Sequence, residues 1–321
     1  MKAIRIHFAN SGDELRMEEV PQPVPKADEV MVRIQAIGVN RADLGRRRTV
    51  SEGEQEPPRI PGLDVAGVVE SVGANVTNWH PGEQVMALVR GAYAEYAVAP
   101  PVLTFHPPEG MSTNNAASLP CVFLTAWYAF QMAGLKPGET ALIHAAGSGV
   151  GMAGVQIAKA LGARVLTSAG SDERVERGLQ LGAEAGVNYA TENVTEALLR
   201  LTDGQGVDMV LDTVGGPIFD ATLGALAQGG RVVTVGGHTG QRSKYEEQDL
   251  AQKGQWVRQM GVFNEAQKDV DQRGWAQMKS WFETGRLRTV VQEVFPWTEV
   301  KRVQEILASR GVFGKVVMEV R

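Results

Sequence analysis

Two hydropathy patterns divide the chain. Up to about residue 118, short runs alternate apolar and polar positions: Ala3 to Phe8 and Val30 to Ile37 show the period of two that points successive side chains to opposite faces of a strand. Asn10-Ser11-Gly12 and Pro81-Gly82-Glu83 punctuate these runs as turns, and the polar stretch from Gly45 to Arg59 reads as a loop. This part predicts an all-β region. From about residue 138, short apolar runs are separated by segments of helical spacing. The predicted strands are Thr140 to Ala145, Arg164 to Ser168, Ala185 to Tyr189, Val207 to Asp212, Arg231 to Gly236 and Gln255 to Phe263. Between them Val150, Gly154, Ile157 and Leu161 form one helical stripe, Val194, Leu198 and Leu201 another, and Phe219, Leu223 and Leu226 a third. Strand and helix in alternation predict an α/β fold, with a doubly wound parallel six-stranded sheet and right-handed crossovers. An amphipathic helix around Gln267 to Phe282, then a helix and a strand at Glu299 to Ser309 and Gly314 to Val320, complete the pattern.

The 321 residues suffice for about two domains at roughly 150 residues each. With 37 acidic against 32 basic residues the net charge is −5, which argues against nucleic acid or an acidic membrane as partner. Hydrophobic residues at 43% and charged residues at 21% place the chain among folded proteins. Glycine, at 37 of 321, exceeds the usual share of roughly 7% and points to tight turns and close backbone approach. Cys121 stands alone, which excludes an intramolecular disulfide, a four-cysteine zinc lobe and a Cys-x-x-Cys site, and makes a reducing cytoplasm the expected setting. The opening residues alternate without the apolar run of a signal peptide. A charge-free stretch from Gly110 to Leu135 has the length to span a bilayer, but it contains Asn114, Asn115, Pro120 and Gln131 and reads as buried structure with no membrane role.

The sharpest motif is Ala145-Ala146-Gly147-Ser148-Gly149-Val150-Gly151, lying between the first strand of the parallel pattern and its first helix. Gly147, Ser148, Gly149, Val150 and Gly151 suit a dinucleotide pyrophosphate: small residues admit it to the backbone, and the helix start offers amide groups and a positive dipole end. An NAD site usually sets an Asp or Glu at the end of the second strand, where this chain has Thr167-Ser168-Ala169-Gly170-Ser171. Gly170 and Ser171, with Arg174 one helical turn on and Tyr189 at the end of the third strand, suit a phosphate instead, which selects NADPH. Helix capping by Ser171 is compatible with that role. His144 beside the loop reads as a packed, neutral histidine, and no serine-histidine-acid set stands out.

Taken with Asn40 in Gly38-Val39-Asn40-Arg41-Ala42-Asp43, the segment Pro61-Gly62-Leu63-Asp64-Val65-Ala66-Gly67, Gly91-Ala92-Tyr93-Ala94-Glu95-Tyr96, Leu124-Thr125-Ala126-Trp127 and Gly314-Lys315-Val316-Val317, the glycine loop gives a chain that resembles the zinc-free quinone oxidoreductase (zeta-crystallin-like) branch of the medium-chain dehydrogenase/reductase superfamily. The resemblance covers nearly the whole length. It implies a GroES-like β-rich catalytic domain over residues 1–121 and 265–321, a Rossmann NADPH-binding domain over 122–264, and a homodimer. It gives Asn40 and Thr125 as catalytic residues, Asn40 bonding near the nicotinamide ribose and substrate and Thr125 lying against the cofactor. The cofactor set is completed by Gly236, Gly237 and His238 after the fifth strand, by Phe263 and by Lys315. Zinc-dependent relatives carry ligands where this chain has Asn40, Leu63, Asp64 and, nearby, Cys121, so no metal is expected. Ser148 replaces a common glycine, and Gly45-Arg46-Arg47-Arg48 stands where relatives often carry an aromatic residue.

The expected activity is zinc-independent transfer of hydride from NADPH to a quinone or an α,β-unsaturated carbonyl. Two alternatives remain open: a 2-enoyl thioester reductase, if Arg46, Arg47 and Arg48 meet an anionic substrate, and a non-catalytic NADPH-binding sensor, structural or RNA-binding protein.

Overall fold

The structure, a computed structural model, describes residues 1–8, 13–44, 57–236, 245–268, 272–309 and 311–321. Two compact units divide the chain, one of Met1–Cys121, Asp269–Glu283 and Thr289–Arg321, the other of Val122–Lys268 and Thr284–Arg288.

The first unit begins with a hairpin of β1 (Lys2–His7) and β2 (Glu14–Glu19). Next come β3 (Val30–Val39), β4 (Asp64–Val72), β5 (Gln84–Leu88), β6 (Tyr96–Ala99), β7 (Thr104–Phe105) and α1 (Thr113–Ala117), then α2 (Pro120–Ala133), which belongs to the second unit from Val122 on. The charge-free stretch thus forms two helices, α1 in a region predicted all-β. Among the described residues no helix is long and apolar enough to cross a membrane.

The second unit alternates as the spacing predicts: β8 (Thr140–His144), α3 (Gly149–Ala160), β9 (Arg164–Ala169), α4 (Asp172–Leu181), β10 (Ala185–Asn188), α5 (Val194–Leu201), β11 (Val207–Asp212), α6 (Gly216–Leu223), β12 (Leu226–Val235), α7 (Glu247–Gln252), β13 (Trp256–Met260) and α8 (Val262–Lys268). The strands form one parallel sheet in the order β10-β9-β8-β11-β12-β13. Leu142, Leu166, Val187, Val210 and Val232 pack at its centre with Phe219, as expected of strands covered on both faces. Two predicted boundaries move by more than one residue. Leu226 leaves the helical stripe because α6 ends at Leu223 with Gly224 as its cap, so Leu226 opens β12 opposite Val207. Phe263 leaves the last strand because the Gly261 carbonyl accepts from the amides of Asn264 and Glu265, starting α8 at Val262.

The chain then returns to the first unit with α9 (Arg273–Glu283), β14 (Val291–Pro296), α10 (Val300–Ala308) and β15 (Lys315–Glu319). The amphipathic helix expected over 267–282 is α9 alone, residues 269–271 lying outside the described set. The seven-stranded sheet of this unit runs β14-β15-β3-β4-β5-β7, with β6 also on β3. Antiparallel pairing of β15 with β3 sets Val316 opposite Val39 and Val317 opposite Gly38, while β4 sets Asp64 opposite Gly38. That register brings Lys315, Asn40 and Asp64, far apart in sequence, to one end of three neighbouring strands.

Candidate functional site

In the parallel-sheet unit the chain leaves β8 for β9 and β10 on one side, then returns to β11 on the other. The boundary between β8 and β11 is therefore the switch point of a doubly wound sheet, where a crevice opens at the carboxyl ends of the strands. The loop from β8 into α3 lies there. Ala145 adopts φ 55°, a left-handed conformation that non-glycine residues hold only under constraint. Its carbonyl accepts from Ser148 N at 2.8 Å, and a Cβ on Gly151 would overlap that carbonyl. Gly151 is thus needed for α3 to start this close to β8. The Ser148 hydroxyl, read as a phosphate contact, caps α3 by accepting from Gly151 N at 3.0 Å. That leaves its hydrogen and the amides of Gly149 and Val150 as candidate donors to an anion.

A second corner forms at the end of β9. Ser171 caps α4, its hydroxyl accepting from Arg174 N at 3.4 Å, which sets Arg174 on the first turn of that helix. The Tyr189 amide donates to Ala169 O at 3.0 Å, and its ring covers Gly170: a Cβ there would stand 3.1 Å from Cε2 and 3.3 Å from the phenol oxygen. Gly170 thus lies against Tyr189, while Ser171 and Arg174 share the start of α4. Asp172, the nearest acid, accepts from Asn188 Nδ2 at 2.7 Å. Thr125 is buried on α2, and Gly236 follows β12 with φ 78°. Phe263 sits on α8, not at a strand end. Gly237, His238 and Arg46 to Arg48 lie outside the described residues.

His144 is fully buried beneath this loop. Its Nδ1 lies 2.6 Å from Ser168 Oγ and its Nε2 3.0 Å from Thr222 Oγ1. Thr222 donates its own hydrogen to Ile218 O at 2.8 Å, so it accepts from Nε2–H and Ser168 donates to Nδ1. Burial lowers the pKa below 6.5 against an opposing pull from Asp212, and the ring is neutral as the sequence suggests. Asp212 Oδ1 in turn holds the amides of Val214 and Gly215 after β11.

The first unit carries a different kind of site. Asn40 Nδ2 donates to Asp64 Oδ2 at 2.8 Å and to Gly38 O at 3.2 Å. Lys315 Nζ donates to Asn40 Oδ1 at 2.6 Å and to Asp64 Oδ2 at 3.1 Å, and Cys121 N donates to Asp64 Oδ1 at 2.7 Å. Lys315 and Asp64 are 2% and 0% exposed. Gly38 has no room for a Cβ, which would overlap the Ala117 carbonyl oxygen and crowd the Asp64 Cβ. Next to this cluster the Asp43 carboxylate accepts from Asn40 N at 2.8 Å and Tyr93 hydroxyl at 3.3 Å, and its Oδ1 is buried without a hydrogen-bond partner among the described residues. Burial pushes Asp43 up to about 7, Asp64 upward against the pull of Lys315, and Tyr93 well above 10.

Lys315, expected on the cofactor, has two of its three donors engaged by Asn40 and Asp64. Asp64 and Asp43 were not expected as site residues. A signal existed: Asp64 interrupts an otherwise apolar run, as does Lys315 in Gly314-Lys315-Val316-Val317-Met318, and a charge inside a strand buried on both faces needs a partner. The residues at the zinc-ligand positions do not form a zinc site. Asn40 offers an amide, Leu63 no donor atom, and Asp64 is held by an ammonium group; zinc sites use thiolates, imidazoles and free carboxylates. Among the described residues no group of three or more His, Cys, Asp or Glu could hold a metal ion.

The chain matches two family models, the alcohol dehydrogenase GroES-like domain over residues 26–109 and the zinc-binding dehydrogenase domain over 149–280. It is 31% identical to the quinone oxidoreductase of Sus scrofa over 323 residues, covering 99% of this chain and 97% of that protein. Among solved structures, Escherichia coli quinone oxidoreductase complexed with NADPH aligns over 100% of both chains at 28% identity and TM-score 0.85. The enoyl reductase CurK aligns over 99% of both chains at 26% identity and TM-score 0.84.

Proposed function

Because the chain belongs to the quinone oxidoreductase family of the medium-chain dehydrogenase/reductase superfamily, we propose that it transfers hydride from NADPH to a quinone or an α,β-unsaturated carbonyl without a metal ion. It is an NADPH-dependent oxidoreductase with a GroES-like β domain and a Rossmann-like parallel sheet. The carrying observation is the end-to-end match to a quinone oxidoreductase solved with NADPH, in a chain whose own glycine loop and β9 corner suit that cofactor.

NADPH supplies the hydride when bound. In this reading the loop of Gly147, Ser148, Gly149, Val150 and Gly151 takes the pyrophosphate, with the Ser148 hydroxyl and the amides of Gly149 and Val150 as donors, and Ser171, Arg174 and Tyr189 with Gly170 take the 2′-phosphate. Gly236, Gly237, His238 and Phe263 contribute to the rest of the cofactor site, Thr125 lies against the cofactor, and Asn40 orients the reacting groups. The first unit acts as the catalytic domain and the second as the NADPH-binding domain. Alignment of hydride donor and acceptor is then the main contribution, worth about 7–11 kcal/mol in favourable cases. The protein works as a cytoplasmic homodimer, an assignment supported by the family resemblance and by a single buried cysteine; sedimentation of the purified chain tests the dimer.

Steady-state NADPH oxidation with a panel of quinones, enones and enoyl thioesters tests the activity. Turnover with quinones or enones supports the reading, and NADPH binding without turnover on any acceptor overturns it. The likeness to CurK favours the enoyl thioester reductase as the second reading. Replacing Arg46, Arg47 and Arg48 by serine should raise the KM for an enoyl thioester if that reading holds, and should leave a neutral quinone unaffected.

A further inference from the structure

The surroundings of the Asn40 carboxamide leave it a single orientation. Both Nδ2 hydrogens are taken, by Asp64 Oδ2 and Gly38 O, and Oδ1 receives the Lys315 ammonium. Turned over, Nδ2 would face an ammonium and Oδ1 would face a carboxylate and a carbonyl, with donors against donors and acceptors against acceptors. Asp64 is fixed in turn by Cys121 N, and burial of the Lys315–Asp64 pair keeps water from substituting for either partner. What remains to Asn40 is one lone pair on Oδ1. It can accept a hydrogen bond and has none to give.

Hydride transfer to a conjugated carbonyl presents two kinds of polar partner. The carbonyl oxygen, and the enolate or hydroquinone oxyanion it becomes, only accept. NADPH carries the donors, in its ribose hydroxyls and carboxamide NH2. We propose that Lys315 and Asp64 are positioning residues that lock Asn40 as a hydrogen-bond acceptor for NADPH, so that Asn40 aligns the cofactor and does not stabilise the oxyanion. This rests on the NADPH-dependent reading above. It also gives Lys315 a task other than direct cofactor binding.

A double-mutant cycle on the full-length chain tests it, read on the NADPH Kd by fluorescence titration and on steady-state kinetics with NADPH and 1,4-benzoquinone. One arm is Asn40→Ala. The other is Asp64→Asn with Lys315→Met, which removes both charges of the ion pair together and frees the Asn40 amide to turn. Each arm should weaken NADPH binding about fivefold, the weight of one neutral hydrogen bond, with the quinone KM unchanged. Combined, they should lose no more than one arm alone. Losses that multiply, a loss falling on the quinone KM, or a charge-free pair with wild-type NADPH affinity would each overturn the proposal. Thermal melts confirm that every variant is folded, and Asp64→Leu with Lys315→Leu, which also removes both charges, serves should the first paired variant fail to fold. If the wild type binds NADPH but reduces no acceptor, the functional reading fails while the Kd cycle still decides this one.

Discussion

The glycine-loop end of the parallel sheet and the Asn40 cluster of the other unit solve a similar problem by opposite means. In the proposed reading the first presents backbone amides and a helix start to an anion, so its requirements fall on neighbouring residues: Ala145 in a left-handed conformation, Ser148 as cap and Gly151 without a Cβ. The second builds its site from buried side chains that converge only through strand register, with Lys315 lying 275 residues from Asn40 and 251 from Asp64. Backbone recognition is written locally and tolerates the loss of any one side chain. Side-chain recognition by a buried ion pair is written across the whole chain, and every member depends on the others.

The largest effect expected from this contrast is on stability. Lys315→Met leaves the Asp64 carboxylate buried with its ammonium partner gone, a change that costs about 3–5 kcal/mol in comparable buried pairs. Removing both charges with Asp64→Asn and Lys315→Met should recover much of that loss. Urea unfolding of the variants decides it: equal stability for wild type and Lys315→Met would show that the cluster is not the interdependent unit described.

Arg174→Glu comes next, in the other region. If Arg174 makes a charge-assisted contact to the 2′-phosphate, its loss is worth about 1.5–3 kcal/mol, or roughly ten- to more than a hundredfold in preference for NADPH over NADH. Arg174 is on the first turn of α4 and half-buried, so folding should be little affected. Titration of both cofactors measures the preference, and wild type binding NADH as tightly as NADPH would break the assignment of Ser171, Arg174 and Tyr189.

These two sites also differ in how far they could be read from sequence. The parallel sheet was legible because each β–α unit is a contiguous stretch with its own periodicity, and the Ser171 and Tyr189 corner because both residues sit at predictable strand ends. Leu226 and Phe263 were misplaced where a glycine, Gly224 or Gly261, ended one element without interrupting the apolar spacing. Asn40 and Lys315 were found only through family resemblance, and their contact with Asp64 not at all. Pairing of β15 with β3 is set by sheet register, which hydropathy along the chain does not encode.

The two regions should titrate in opposite senses. His144 has a folded pKa below its ordinary 6.5, so as pH falls through that value the unfolded chain gains a proton that the folded one refuses, and stability is lost on acidification. Asp43 is raised from 3.8 to about 7, so between those values the folded chain holds the extra proton. Its contribution is greatest at low pH and is lost as pH rises through about 7. Neither slope can exceed about 1.4 kcal/mol per pH unit for one proton. Stability of wild type relative to Asp43→Asn should therefore decline from about pH 4 to 7, and relative to His144→Asn should decline as pH drops below about 6.5. Slopes of the same sign for both comparisons would remove this distinction between the regions.

Metal removal should have the smallest effect, and the reason lies in the same cluster. The positive charge beside Asp64 belongs to Lys315 and is covalently part of the chain, bonded to Asp64 at 3.1 Å and to Asn40 at 2.6 Å. A chelator cannot extract it, whereas Lys315→Met does. A zinc ion there would have to displace the ammonium, with only one amide oxygen, one carboxylate and a cysteine nearby, short of the four donors of a closed site and with an amide where an open site uses an imidazole, thiolate or carboxylate. Prolonged treatment with a strong chelator should thus leave the NADPH–quinone rate unchanged, and elemental analysis of the untreated protein should find less than stoichiometric zinc. Activity that disappears on chelation and returns with added zinc would mean that a metal holds the site, and the charge cluster would lose its place as the chain's own substitute for one.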